Sequence, residues 1–186
     1  MELTQSQLKQ IWKHVSEGEG GYCPVCEKWG KVNSVHLTGS MVRALGWLYK
    51  ESQITGEQWI NIPNAAPSTV MRSYNITSLK YWGFVEPRPK PAKVVQLPHV
   101  RGQKREPQVN TRTSGYWAIT DMGKLFLTNQ SRVPDRVFVY ADAVQGYGAD
   151  TVSAKEVMDK KFDYDAMMND IYAIHRVSNA THYAGL

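Results

Sequence analysis

The sequence predicts a protein of the α+β class, and three observations support this prediction. Its 186 residues are 42% hydrophobic and include six Trp and ten Tyr, enough apolar material for one folded domain with appendages. Segments with helical spacing of apolar residues alternate with short strand-like segments. No apolar run approaches the roughly 20 residues of a membrane-spanning helix, and the N-terminal residues lack an apolar signal segment. We therefore expect a cytoplasmic protein without membrane contact, whose thiols stay reduced.

Two amphipathic helices are predicted in the first third of the chain. The first covers 4–16 with Thr4 or Ser6 as its N-cap, and glycines at 18, 20 and 21 end it. The second covers 39–52, with Thr38 as its N-cap and Gly56 closing the region. Each presents one apolar face: Leu8, Ile11, Trp12 and Val15 in the first helix, and Met41, Leu45, Leu48 and Tyr49 in the second.

The middle of the chain predicts a helical region between short strands. Residues 59–62 are a strand candidate, stopped by Pro63. Residues 67–82 predict either one long helix or a short helix followed by a second helix capped by Asn75. Gly83 then stands where a left-handed C-cap is expected. Strands are predicted at 84–86 and 115–120.

The segment from 87 to 113 between these two strands is rich in proline and basic residues. It holds five of the nine prolines, and seven Lys or Arg against a single Glu. Its composition predicts an extended basic loop. Because the net charge of the whole chain is +5, most of its basic excess lies in this loop, which is compatible with a polyanionic partner.

The last third of the chain predicts a further set of short elements. A helix begins at Asp121 and a strand covers 136–144, followed by helices over 151–162 and 163–176 and a frayed end. The whole organisation divides into three parts. These are an N-terminal helix and CxxC knuckle at 1–37, a central domain at 38–130, and an accessory α/β region at 131–186 for dimerisation or partner binding.

Two motifs in the central part of the chain follow one another at either end of the basic segment. One is a helix that ends in L-x-x-W-G-F-V-E, and the other is a strand that leads through I-T-D-M-G-K-L into the next helix. With these motifs, about 40–128 resembles a winged helix-turn-helix DNA-binding domain of the MarR-like kind. The matching residues are Leu79, Gly83, Val85, Glu86, Ile119, Thr120, Gly123, Lys124 and Leu127. Together with the N-terminal CPVC motif, this block also resembles small phage-encoded proteins of unassigned role.

The resemblance implies double-stranded DNA binding without catalysis, as in a phage or bacterial transcriptional regulator. Such a domain places one helix in the major groove and a basic hairpin on the phosphates. Ile76, Leu79 and Trp82 would face the core. On the helix the DNA-contacting candidates are Arg72, Ser73, Asn75, Thr77, Ser78 and Lys80. In the wing they are Arg88, Lys90, Lys93, Arg101, Lys104, Arg105 and Arg112, which would add affinity rather than sequence preference.

The alternative to DNA binding is a protein-interaction module, for instance a phage factor that binds a host protein through the long loop and the acidic C-terminal region. A homodimer is a further interaction that the sequence leaves open. An enzyme is not expected, because no HExxH, P-loop, GxSxG or paired-carboxylate motif is present.

Cys23 and Cys26, the only cysteines, form a C-P-V-C motif that resembles half of a zinc knuckle. A closed structural zinc site needs four ligands. A Cys2His2 set of His14, Cys23, Cys26 and His36 is one choice; His99 or ligands from a second chain are others. A metal-free knuckle packed by aromatic residues and a redox-active thiol pair are the alternatives to structural zinc.

Overall fold

The computed structural model describes residues 4–71, 74–89, 115–159 and 161–183. It is an α+β structure with small antiparallel sheets. Among the described residues, no helix combines the length and apolarity needed to cross a bilayer.

The first helix, α1 (Gln5–Glu17), begins at a capping box formed by Thr4 and Gln7. A two-stranded hairpin, β1 (Gly21–Tyr22) and β2 (Trp29–Gly30), follows it. The helix packs towards the body of the protein through Trp12, whose ring meets that of Tyr140 edge to face at 5.9 Å. Gly30 lies directly beneath this pair, since an added Cβ would be 2.7 Å from the Tyr140 ring.

The central helix, α2 (Gly39–Thr55), organises the core. Thr38 is its N-cap, as the sequence predicts; the helix continues beyond the predicted end at 52 and stops at Gly56, a left-handed C-cap with φ of 68°. Met41, Leu45 and Leu48 are fully buried on one face. The residues packed with them in one hydrophobic cluster come from both sides of the basic segment and extend to Ile171.

A three-stranded antiparallel sheet lies beside α2, with strand order β4–β6–β5. The strands are β4 (Ile60–Asn61), β5 (Val85–Pro87) and β6 (Tyr116–Ile119). Between β4 and β5 the chain forms α3 (Ile62–Ala65), α4 (Ser68–Met71) and a 3₁₀ helix, Tyr74–Trp82. Helix α5 (Asp121–Leu127), capped by Thr120, follows β6 directly.

The second three-stranded sheet has the strand order β3–β8–β9. It pairs one strand from the first part of the chain with two strands from the last third. Strand β3 (Asn33–His36) pairs with β8 (Arg136–Tyr140), which forms a hairpin with β9 (Ala143–Tyr147). The remaining elements are β7 (Val133–Pro134), paired with β10 (Thr151–Val152), and helices α6 (Ala154–Met158) and α7 (Tyr164–Tyr183). Residues from 1–37 and from 131–186 therefore share a sheet.

Four predictions about local elements need correction. The single strand predicted over 136–144 is wrong, because Ala141 and Asp142 form a turn and the chain reverses there. Residues 151–152 are strand rather than helix, and α7 continues to Tyr183 instead of ending at 176. The helical region 67–82 is divided into two, and its second helix begins at Tyr74 rather than after an Asn75 cap.

Candidate nucleic-acid interface

The predicted DNA-reading helix corresponds to the 3₁₀ helix Tyr74–Trp82. Ile76, Leu79 and Trp82 are buried, as predicted for its core face. Trp82 donates a hydrogen bond from Nε1 to the Pro134 carbonyl oxygen at 2.8 Å, which fixes the end of the helix against β7. Gly83, with φ of 72°, then turns the chain into β5.

Three of the candidate side chains on this helix lie within the described residues. Thr77 is exposed, while Ser78 and Lys80 are half-buried. Arg72 and Ser73 lie outside the described residues, and Asn75 is described by its backbone alone.

The cation of Lys80 is engaged by an acidic residue from the β8–β9 turn. Its Nζ donates to both carboxylate oxygens of Asp142, at 2.7 and 2.6 Å. The Tyr81 hydroxyl donates to the same carboxylate at 2.7 Å. These hydrogen bonds, first from Lys80 and then from Tyr81, lower the pKa of Asp142, and the bond to Asp142 raises the pKa of Tyr81. We call these three residues the Asp142 cluster.

The base of the predicted wing is formed by the last residues of β5 and the first residues of β6. The Arg88 N–H donates to the Tyr116 carbonyl oxygen at 3.0 Å, and the exposed guanidinium lies 5.3 Å from the centre of the Tyr116 ring. Arg88 is therefore held at the start of the basic segment with its charge in solvent. The remaining wing candidates lie outside the described residues: Lys90, Lys93, Arg101, Lys104, Arg105 and Arg112.

The cysteine pair lies in the tight turn between β1 and β2. The Cys23 N–H donates to the Lys28 carbonyl oxygen, and the Glu27 N–H donates to the Cys23 carbonyl oxygen, both at 2.9 Å. Glu27 has φ of 56°, a conformation that few non-glycine residues adopt. Backbone amides of Cys26 and then Val25 hydrogen-bond the Cys23 sulfur and lower the pKa of its thiol. This geometry favours the thiolate, the form that binds metals.

The two histidines do not complete a metal site with the cysteines. His14 lies in the last turn of α1, and His36 ends β3, where it lies near the Ser34 hydroxyl at 3.4 Å. Within the described ranges, no group of three or more His, Cys, Asp or Glu side chains is placed to hold an ion. His99 lies outside those ranges.

A cavity of about 540 Å³ lies between the end of α1 and the β3–β8–β9 sheet. Its walls mix polar and apolar side chains, among them Glu17, Asn33, Phe138 and Gln145. Such a volume is in the range of small-ligand sites. The sequence contains no signal for it, because its walls come from segments more than 100 residues apart.

Comparison with protein-family models, with curated proteins and with solved structures finds no match to this chain. A functional assignment therefore depends on the residues and their geometry.

Sequence reasoning missed the Asp142 cluster. Asp142 is more than 60 residues from Lys80, and the turn that presents it lacks the Asn-Gly or Asp-Gly pair typical of such hairpins. A signal was nonetheless present, since Ala-Asp interrupts an alternating apolar pattern at 141–142.

Proposed function

We propose that this chain is a cytoplasmic double-stranded DNA-binding protein, a transcriptional regulator of phage or bacterial type. In this proposal the helix at 74–82 and the residues just before it lie in the major groove. The basic segment between β5 and β6 lies along the phosphates. No catalytic step is part of the proposal.

The observation that carries the proposal is the arrangement of the β4–β6–β5 sheet and its helices. Helix α2, strand β4, helices, strand β5, a connection and strand β6 follow one another, and β6 lies between β4 and β5. This order is typical of a winged helix. The connection from β5 to β6 contains the main basic excess of the chain, and in this proposal that charge meets the phosphates.

Packing supports a stable platform for such an interface. Phe84 stacks on Phe126 with ring centres 4.5 Å apart, and Thr120 donates from its hydroxyl to the Gly83 carbonyl oxygen at 2.5 Å. These contacts join the end of the helix, the first wing strand and α5. Preorganised elements lose little conformational entropy on binding, which favours affinity.

The test compares two variants of equal charge. In the first, Arg101, Lys104 and Arg105 are replaced by Gln; in the matched control, the exposed residues Lys9, Lys13 and Lys161 are replaced by Gln. Binding to a mixed-sequence duplex is measured by fluorescence anisotropy. We expect the first variant to lose several-fold more affinity than the control, because local phosphate contacts outweigh net charge. Equal losses in both variants would contradict the wing assignment.

One observation favours the second candidate function, a protein-interaction module that binds a host protein. Lys80 is the sole basic residue of 74–82, and its charge is neutralised by Asp142. A wild-type protein that fails to bind duplex DNA at low salt would favour this candidate. The search would then turn to a stoichiometric protein partner.

A further inference from the structure

The turn between β1 and β2 presents two thiols with the C-x-x-C spacing found in zinc sites. Cys26 is exposed and Cys23 is half-buried, and the turn is closed by the backbone hydrogen bonds of Cys23 to Lys28 and of Glu27 to Cys23. The turn holds both cysteines at the end of the hairpin formed by β1 and β2, so the pair can supply two of the ligands of a zinc site.

Among the residues that the structure describes, no further ligands of a closed site lie around this turn. Structural zinc takes four ligands in a tetrahedral arrangement. In the described part of the chain, neither histidine nor carboxylate joins the two cysteines in a group of three. The nearest histidines in sequence, His14 and His36, lie on α1 and at the end of β3. A site built from these residues alone is half complete.

The surface around the thiols is unusually apolar for exposed positions. Tyr22 is 72% exposed, Val25 69% and Trp29 58%. Tyr22 and Trp29 are paired across the two strands, and Val25 stands between the two cysteines in sequence. Several exposed apolar side chains on one hairpin are typical of a surface that meets a partner.

We propose that Cys23 and Cys26 of one chain and the same two residues of a second copy bind one zinc ion together. Each thiol gives up its proton to the solvent, and the four thiolates surround the metal at about 2.3 Å. The contact relates two identical hairpins by a two-fold axis, so each surface is complementary to itself. The exposed Tyr22, Val25 and Trp29 of both chains become buried beside the ion. This inference is independent of DNA binding.

The experiment measures zinc content and molar mass on the same sample. The full chain is reduced, loaded with Zn²⁺, freed of excess metal and passed through size-exclusion chromatography with light scattering. The expected result is one zinc per two chains in a dimer, which a strong chelator converts to metal-free monomer. Substitution Cys26→Ser is expected to remove both zinc and dimer, while the matched variants His14→Asn and His36→Asn retain both.

Several outcomes would overturn the proposal. One zinc per chain in a monomer would show that the remaining ligands belong to the same chain. A chain that binds no zinc, or a dimer that persists in Cys26→Ser and in chelator, would separate dimerisation from the metal.

A spectroscopic measurement tests the ligand set without any substitution. Co²⁺ bound by four thiolates gives strong sulfur-to-metal charge transfer and the visible bands of a tetrahedral ion. We expect this spectrum to saturate at one cobalt per two chains. Saturation at one cobalt per chain, or weak bands of an octahedral ion, would contradict a shared four-cysteine site.

Discussion

Substitution of Gly123 by Ala tests how closely α5 approaches the backbone of Phe84, just before β5. A Cβ at this position would lie 2.3 Å from the Phe84 carbonyl oxygen and 2.9 Å from Ile119 Cγ1. Ordinary carbon-to-oxygen contacts are about 3.3–3.6 Å, so α5 would have to move away by about 1 Å. That shift would stretch the hydrogen bond from the Thr120 N–H to the Phe84 carbonyl oxygen, which is 3.0 Å long.

The magnitude follows from two opposing effects. Overpacking of this kind costs about 1–3 kcal/mol. Ala gains up to about 1 kcal/mol over Gly in a helix interior, and less in the first turn, where Gly123 lies. We therefore expect Gly123→Ala to lower the free energy of unfolding by about 1–2 kcal/mol, equivalent to about 2–8 °C in melting temperature.

The assay is urea unfolding followed by circular dichroism, with Gly146→Ala as the matched control. An added Cβ at Gly146 has its nearest neighbour, Phe138 Cδ2, at 3.9 Å, so the control should be neutral or slightly stabilising. A Gly123→Ala protein as stable as wild type would refute the close approach and the packing described for α5.

Three further predictions concern pH, a buried hydrogen bond and the Asp142 cluster. Hydrogen bonds, first from Arg132 and then from the Ser153 backbone, lower the pKa of Glu156 from 4.5 to about 2. The ionised form of Glu156 therefore stabilises the fold fully above pH 4.5, and this contribution is lost as the pH falls towards 2. Glu156→Gln should destabilise the protein in urea at neutral pH but much less at about pH 2, and a pH-independent difference would argue against the ion pair. The Tyr164 hydroxyl donates to the Leu127 carbonyl oxygen at 2.9 Å. In the same assay, Tyr164→Phe should lower the free energy of unfolding by about 1 kcal/mol, while Tyr147→Phe at an exposed position should leave it unchanged. Equal effects would contradict a buried hydrogen bond. Asp142→Asn should release Lys80 and strengthen duplex binding, with a salt slope steeper by about one. The matched control Asp170→Asn releases Lys50 and should leave binding unchanged. Equal binding by the two variants would contradict a contact between Lys80 and DNA.

Features fixed by local chemistry could be predicted from the sequence. Thr38 and Gly56 mark the ends of α2 because a side-chain oxygen satisfies free amides and glycine adopts positive φ. Gly83 ends its helix for the same reason. The core face of the 3₁₀ helix was predictable from the spacing of Ile76 and Leu79, which are both buried.

Features that depend on distant pairing could not be predicted in this way. Strand β3 is stabilised by β8, which lies about 100 residues further along the chain, so its local sequence carries little signal. The β8–β9 turn places Ala141 and Asp142 at positive φ, a conformation that the sheet pairing imposes against the preference of alanine. The ion pair between Lys80 and Asp142 depends on that turn, so it could not be predicted from the sequence either.

The most direct test of the central claim is the salt dependence of duplex binding by the wild-type protein. Affinity is measured by anisotropy at several salt concentrations, and its logarithm is plotted against the logarithm of the salt concentration. If the basic segment meets phosphates, each contact contributes about −0.9 to the slope, and we expect a slope of about −4 or steeper. Binding that is absent at low salt, or a slope near zero, would contradict the proposal that this chain binds DNA through a basic wing.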